Sequence, residues 1–178
     1  MDEHESLIAA INEEVNLREY NELWPSLYEA ERQRLLALLP NAFLDIQHIG
    51  STSIPGMPAK PIIDILAGVD SMETAKSLAT TLCSSGYTTS AEFNESLCDR
   101  QWFMRWASGH RTHHLHVVVY GSTAWVEHLR FRDSLRSSEK LAAEYAQLKT
   151  EMAAKHTEDR EAYTDAKSHF VNAVSRAA

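Results

Sequence analysis

Asp64 is an acidic residue inside an otherwise apolar run from Pro61 to Val69. An ionised carboxylate in a buried strand is costly unless a cation or several hydrogen-bond donors meet it. Two roles would explain it: the carboxylate accepts hydrogen bonds that shape the preceding loop, or it serves as a metal ligand or general base. The two roles are compatible, and we predict that Asp64 lies at the centre of a functional site.

A small, polar loop precedes that run and reads Gly-Ser-Thr-Ser at its start. Glycine lets the backbone turn, and the hydroxyls and amides that follow are groups of the kind that hold phosphate oxygens. A loop of this type is weak evidence alone, but the buried acid beside it favours binding of a nucleotide or another phosphorylated small molecule. The loop residues that we assign to this ligand are Gly50, Ser51, Thr52, Ser53 and Lys60.

Histidines are concentrated in the apolar stretch that ends at Tyr120, which is typical of a strand. His114 and His116 are two residues apart, so their side chains share one face of the strand, with Cα atoms about 6.5 to 7 Å apart. With Asp64 or His48 opposite, these imidazoles could chelate a transition metal, for which zinc is the default choice. The alternative is that they are hydrogen-bonded groups that line an anion pocket.

Two arginines, Arg100 and Arg105, lie in the segment RQWFMRWA, which we predict to pair with the histidine strand as a hairpin. The guanidinium fork suits a phosphate, so both are candidate ligand-binding residues. Alternation puts Trp102 and Met104 on one face and Phe103 and Arg105 on the other. Only one face can see the pocket, and the pattern leaves open which arginine reaches it.

Helices and strands are both predicted in the chain up to Tyr120, and only helices are predicted after it. We predict helices over residues 21–40 and 70–86, with Asp70 and Glu73 at capping-box spacing in the second. Strands are predicted over 42–49, 61–69, 100–107 and 112–120. Three helices follow, over 122–136, 138–155 and 157–174, and the acids Glu158 and Asp159 favour the start of the last one. The first dozen residues have the pattern of a further short helix.

Length and composition predict one domain over residues 1–178, since 44% hydrophobic residues suffice for a single core. A net charge of −8 argues against binding a nucleic acid backbone. The acidic start and the lack of an apolar run of about 20 residues argue against a membrane span and favour the cytoplasm. Glu31 and Lys149 are expected on exposed helix faces, whereas Trp24, Trp125, Tyr145 and Tyr163 are expected in the core.

The stretch HIGSTSIPGMPAKPIIDI strongly resembles the signature of the GrpB family, a group related to the nucleotidyltransferase superfamily. The resemblance continues through RQWF, THHLHVV, FRDSLR and EYAQLK, and so covers the chain from about Trp24 to Phe170. It implies a nucleotidyltransferase-like α/β (α+β) fold, with a mixed sheet of about four to five strands, flanking helices and a helical C-terminal part. Relatives fused to dephospho-coenzyme A kinase suggest, by association, a link to coenzyme A metabolism.

Nucleotidyltransferase-like proteins carry a Gly-Ser turn, two acids two residues apart on a strand and a third acid on a neighbouring strand; the acids hold two metal ions. Here Gly50 and Ser51 match the turn and Asp64 matches the first acid, but Leu66 takes the second position. The third-acid strand carries His114 and His116 instead. One carboxylate with two imidazoles is a poor copy of a two-magnesium site, since magnesium prefers oxygen ligands.

Three hypotheses therefore stay open. The first is a divergent nucleotidyltransferase-like enzyme that uses a divalent metal, Mg²⁺ or Zn²⁺, with Asp64 as its catalytic residue. The second is a catalytically inactive module that binds a nucleotide or another phosphorylated small molecule. The third is a metal-dependent hydrolase, less favoured, whose metal ligands would be His48, Asp64, His114 and His116.

Overall fold

A five-stranded mixed sheet forms the centre of the computed structural model, which describes residues 2–156 and 159–177. The strands are β1 (Asp45–Ile49), β2 (Ile63–Val69), β3 (Tyr87–Thr88), β4 (Gln101–Ala107) and β5 (His110–Val119). The helices are α1 (Glu3–Asn12), α2 (Trp24–Leu38), α3 (Met72–Ser77), α4 (Ala79–Cys83), α5 (Ala91–Ser96), α6 (Thr123–Ser137), α7 (Glu139–Lys155) and α8 (Arg160–Ala177). The expected α/β class and sheet size are confirmed.

The strand order is β1-β2-β5-β4-β3, and only the central pair, β2 with β5, is parallel. The parallel register sets Asp64 beside His114 and Leu66 beside His116. In the same way, antiparallel pairing sets Trp102 beside His116. Because paired residues point to the same side of a sheet, this register decides which side chains can meet.

Apolar residues of alternating strand positions build the main core on one face of the sheet. Ile63, Ile65 and Ala67 of β2 pack there together with Leu35 of α2 and helices α3 and α4. The opposite face is covered by α6, α7 and α8, and Leu66 packs there against Trp125. The sheet is therefore buried on both sides, which explains the nearly continuous apolar sequence of β2.

Several element boundaries differ from the predicted ones. The helix expected over 70–86 is two short helices, α3 and α4, and its N-cap is Ser71, whose side chain accepts a hydrogen bond from the amide of Thr74. Strand β3 and helix α5 carried no clear periodic signal because each is only a few residues long. The short N-terminal helix is confirmed as α1, with a capping box formed by Asp2 and Glu5.

The three C-terminal helices are confirmed, and Ser122 and Ser138 cap the first two. Helix α8 begins at Arg160; the predicted start at Thr157 and Glu158 lies outside the described residues. Among the described residues, no helix combines the length and apolar character needed to cross a bilayer.

Candidate functional site

Asp64 lies on β2 and faces the side of the sheet that α6, α7 and α8 cover only in part, so 26% of its side chain stays exposed. It forms the floor of a cavity of about 330 Å³. Gly50, at the end of β1, packs directly against it with φ +71°, and a Cβ at this glycine would lie 2.5 Å from Asp64 Oδ2. Glycine is thus required both by backbone conformation and by the close approach of the carboxylate.

A chain of hydrogen bonds connects Asp64 to a buried arginine through His114. Arg111 Nη1 lies 3.3 Å from His114 Nε2, and a guanidinium only donates, so Nε2 must accept. The proton of the neutral ring is then on Nδ1, which donates to Asp64 Oδ1 over 3.1 Å. Arg111 therefore sets the tautomer of His114, and His114 in turn holds the carboxylate in place.

The second imidazole, His116, lies beside the same carboxylate, with its Nε2 3.9 Å from Asp64 Oδ1. Burial lowers the pKa of His116, so the ring is neutral. Burial acts to raise the pKa of Asp64, but the two imidazoles outweigh it and hold that pKa well below its usual range. Asp64 is consequently an ionised hydrogen-bond acceptor throughout the physiological pH range.

Arg111 is tied in turn to the N-terminal segment. Its Nη2 lies 2.5 Å and its Nε 2.7 Å from Glu13 Oε2, and its guanidinium is buried. Sequence reasoning passed over both residues, because a Glu and an Arg 98 positions apart show no shared pattern. Only the fold makes them neighbours of the candidate site.

The loop after β1 forms a short 3-10 turn over Ser51–Ser53, so part of its hydrogen-bonding capacity is used internally. Ser53 donates from its hydroxyl to the Gly50 carbonyl over 2.6 Å and does not line the cavity. Ser51 and Thr52 do line it. From the far side, Arg136 Nε donates to the Ser53 carbonyl over 2.9 Å. The loop is thus braced from behind. The Thr52 hydroxyl is engaged as well, since its Oγ1 lies 2.9 Å from His48 Nε2 and 3.4 Å from the Ile62 carbonyl oxygen.

Three lysines from three separate elements form the opposite wall of the cavity: Lys60 of the loop, Lys149 of α7 and Lys167 of α8. The ammonium groups of Lys60 and Lys167 lie 4.6 and 4.7 Å from the ring centre of Tyr163. Lys149, only 1% exposed, donates to the Pro58 carbonyl. Among residues 2–156 and 159–177, no salt bridge includes any of the three.

Crowding of these ammonium groups away from water lowers all three pKa values. Burial, reinforced by neighbouring Lys167, lowers the pKa of Lys149 to about 7 and that of Lys60 to about 8. Burial also lowers the pKa of Lys167. The positive form of each lysine is therefore held at a cost, and an anion in the cavity would remove that cost.

Six of the predicted site residues line the cavity, and Gly50 packs beneath them against Asp64. The cavity is lined by Ser51, Thr52, Lys60, Asp64, His114 and His116. His48 pairs with Ile65 and so points to the opposite face, where it stacks on Tyr28 with ring centres 4.7 Å apart. The sequence prediction that placed His48 with the other three candidate metal ligands is wrong for this reason.

Neither arginine of β4 reaches the cavity. Arg105 points to the core face and forms a salt bridge with buried Glu31, so its assignment to the pocket is wrong. Arg100 precedes β4, bonds to Asp99 over 3.1 Å and lines a neighbouring cavity. As predicted, Trp102 and Met104 lie on one face of β4 and Phe103 lies on the other. The pairing register between β4 and β5 shifts after Arg105.

The described residues of this site offer few side chains that could bind a metal ion. Among the described residues, Asp64 is the single carboxylate that lines the cavity, and both nitrogens of His114 are engaged by Asp64 and Arg111. Across the described part of the chain, no group of three His, Cys, Asp or Glu residues is arranged to hold a metal ion. These residues do not fit the two-metal site of a nucleotidyltransferase, which needs several oxygen ligands.

Two charged residues were misplaced by sequence reasoning. Glu31 and Lys149 were expected on exposed helix faces, but both are buried. Tyr145 and Tyr163, expected in the core, are buried as predicted and lie beside the lysines. Four residues before Lys149 is Tyr145 and four before Lys167 is Tyr163, and this repeated i, i+4 pairing is the sequence signal that was available.

Comparison with known proteins gives one consistent family. The family model described as GrpB protein matches residues 14–177. The UPF0157 protein YqkA of Bacillus subtilis is 38% identical over 152 residues, which cover 85% of this chain and 43% of YqkA. The glutamate-rich protein GrpB of Alkalihalophilus pseudofirmus is 34% identical over 165 residues, covering 90% of this chain and 94% of that protein. The chain thus spans less than half of YqkA and nearly all of the second relative.

A solved structure has the same fold. The crystal structure of conserved protein GrpB from Enterococcus faecalis superimposes with a TM-score of 0.82 at 32% identity. The match covers 91% of this chain and 96% of that one.

Proposed function

The chain belongs to the GrpB family, and from that premise we propose that its lysine-walled cavity binds a small phosphorylated molecule that carries more than one negative charge, such as a nucleotide. The observation that carries the proposal is the convergence of Lys60, Lys149 and Lys167 on one cavity of a chain whose net charge is −8. Lys149 is buried and the other two lysines are partly buried, and withdrawing each ammonium group from water costs free energy. A polyvalent anion would offset that cost.

The shape of the cavity supports the same ligand class. Ser51 and Thr52 line the cavity together with the three lysines, and the Thr52 hydroxyl is itself bonded to His48 and the Ile62 carbonyl. Charge-assisted hydrogen bonds to phosphate are among the stronger polar contacts in proteins. Asp64, ionised at the floor, would repel an anion placed directly on it, so we place the phosphates toward the lysines and the loop.

Binding is the function that the side chains support best, and chemistry is a further step. Asp64 is held by His114 and kept ionised, so it can orient a hydroxyl or amine of the ligand as an acceptor. Its low pKa makes it a weak base, which disfavours efficient proton abstraction. We therefore propose a binding protein of the nucleotidyltransferase-like class rather than an enzyme with an intact two-metal centre.

Calorimetric titration of the full chain with inorganic tripolyphosphate and with ATP, each with and without Mg²⁺, tests the proposal. We expect both ligands to bind and to raise the melting temperature. Lys167→Gln and Lys60→Gln should each weaken binding by about tenfold, because each removes one charge-assisted contact. The matched control is Lys140→Gln, a lysine on α7 that is 87% exposed and should change nothing.

Equal affinity in the pocket variants and the control, or no binding of either ligand, would overturn the proposal. A requirement for Mg²⁺ would restore the metal hypothesis. Release of pyrophosphate from ATP that disappears in Asp64→Asn would add group transfer to binding.

A further inference from the structure

A second cavity lies on the same face of the sheet, beside the lysine-walled cavity. It has a volume of about 280 Å³ and is lined by Phe93, Leu97, Arg100, Trp102 and His116. His116 lines both cavities, so one imidazole separates them. We propose that this second cavity is a binding site for a small aromatic carboxylate.

The walls of this cavity suit a planar apolar ring. Phe93 and Trp102 meet edge to face, with ring centres 5.4 Å apart and an interplanar angle of 75°. Aromatic rings in such arrangements attract one another beyond the effect of buried area. An apolar cavity of about 150 Å³ already takes benzene, so the volume here accommodates one ring with a substituent. The cavity therefore selects by shape for a single-ring compound.

The wall is held in place before any ligand arrives. Asn94 of α5 is buried, and its side chain accepts from the Trp102 amide over 2.8 Å and donates to the Trp102 carbonyl over 3.3 Å. The Thr89 hydroxyl donates to the same carbonyl. These contacts fix α5, and with it Phe93, against β4. A preorganised wall lowers the ordering cost of binding.

Arg100 supplies the positive charge that selects a ligand with a carboxylate. Its Nε contacts Asp99 Oδ1 over 3.1 Å, and both side chains are partly exposed, at 28% and 46%. An exposed ion pair of this kind contributes little to stability, so the guanidinium can turn to a ligand carboxylate at small cost. The guanidinium fork matches a carboxylate with two parallel hydrogen bonds.

His116 forms a wall that the two cavities share. Its Nδ1 is buried and, among the described residues, has no hydrogen-bond partner. Its neighbour His128, with ring centre 5.7 Å away, already uses Nδ1 to donate to the Ala124 carbonyl. A molecule that enters either cavity comes into contact with this ring.

Occupation of both cavities would place two small molecules on either side of one imidazole. The aromatic acid is then a second ligand beside the phosphorylated molecule. It acts either as a co-substrate of that molecule or as an effector of its binding. Its binding does not depend on the phosphate proposal, because Arg100, Phe93 and Trp102 do not line the lysine-walled cavity.

Titration of the full chain with benzoate, followed by tryptophan fluorescence and by saturation-transfer NMR of the ligand, tests this inference. We expect benzoate to bind, and benzyl alcohol, which lacks the carboxylate, to bind more weakly. Arg100→Gln should weaken benzoate binding by about fivefold to tenfold and leave benzyl alcohol unaffected. Trp102→Leu should weaken both.

Arg32→Gln is the matched control, since Arg32 is also a partly exposed arginine in a surface pair, with Glu29 at 3.2 Å. It should leave benzoate binding unchanged. Melting temperatures show whether each variant is folded, and tripolyphosphate titration of the same variants separates the two cavities. Equal benzoate affinity in Arg100→Gln and Arg32→Gln, or no benzoate binding to the native chain, would overturn the inference whether or not tripolyphosphate binds.

Discussion

The two faces of the sheet differ in how their charged side chains are paired. On the core face, Glu31 of α2 is 4% exposed and is met by Arg34 at 2.9 Å, by Arg105 and by the Tyr87 hydroxyl at 2.6 Å. On the other face, three lysines share a cavity with Asp64. Asp64 is paired with imidazoles, and no salt bridge between described residues includes any of the three lysines.

The two faces differ in whether a charged side chain has a partner of opposite charge within the protein. Each cation near Glu31 touches the carboxylate, so the buried acid is neutralised within the protein. Burial instead lowers the pKa values of all three lysines and so disfavours their charged forms. The core face therefore neutralises its buried acid within the protein, whereas the lysines of the other face form no salt bridge with a described residue.

Of the substitutions that test this comparison, Glu31→Ala should change the free energy of unfolding the most. It leaves the Tyr87 hydroxyl and the Arg105 guanidinium without their acceptor, and loss of one partner of a buried charged group costs about 3 kcal/mol of unfolding free energy. Urea denaturation measures it, with Glu29→Ala, an exposed acid on the same helix, as control. A loss in Glu31→Ala no greater than in the control would refute the structural role.

Lys149→Met should act with the opposite sign and raise the free energy of unfolding by about 1 to 3 kcal/mol at pH 7. The folded-state pKa of Lys149 is about 7, against 10.5 for a solvated lysine. The unfolded chain binds more protons between these values, so the native protein gains stability as pH rises through that range. The advantage of the methionine variant should thus be full below pH 7 and fade toward pH 10.5.

Denaturation curves of the native chain and of Lys149→Met at several pH values measure this convergence. Lys140→Met, at an 87% exposed position of the same helix, provides the comparison and should be nearly neutral at every pH. A destabilised Lys149→Met would show that the ammonium holds the Pro58 carbonyl for structural reasons, as Arg105 holds Glu31.

The pH dependence of anion binding should be the smallest of the three effects. A bound anion favours the protonated lysines, so affinity for tripolyphosphate should fall by about tenfold as pH rises from 6.5 to 9, through the pKa values of Lys149 and Lys60. Calorimetry in buffers of different ionisation enthalpy measures the proton uptake directly. The other titratable or charged groups that face these lysines are Asp64, Arg111, His114, His116, Tyr145, Tyr163, Lys167 and Glu13.

A proton uptake of zero across that pH range, with binding intact, would mean that the ligand does not contact Lys60 or Lys149. Lys149→Met should reduce the uptake and flatten the pH profile, whereas Lys140→Gln should leave both unchanged.

Local sequence patterns were sufficient for the elements and for the centre of the site. An isolated aspartate in an apolar strand, a glycine-led loop and two histidines with a spacing of two all lie where their periodicities predict, because strand alternation is a local property. The residues that failed, His48 and Arg105, depended on which face each strand turns to the cavity, and that is decided by pairing register between distant segments.

The sequence by itself determined the family and the α/β class and indicated the acid and the two imidazoles as candidates, since each of these follows from a local pattern. The parallel pairing of β2 with β5 then placed the acid beside the imidazoles. Only the tertiary structure decided that Lys149 and Lys167 join Lys60, that Arg111 and Glu13 stand behind His114, and that Glu31 is buried. The physical reason is that the solvation of a charged side chain depends on what packs over it, and that covering comes from helices remote in the chain.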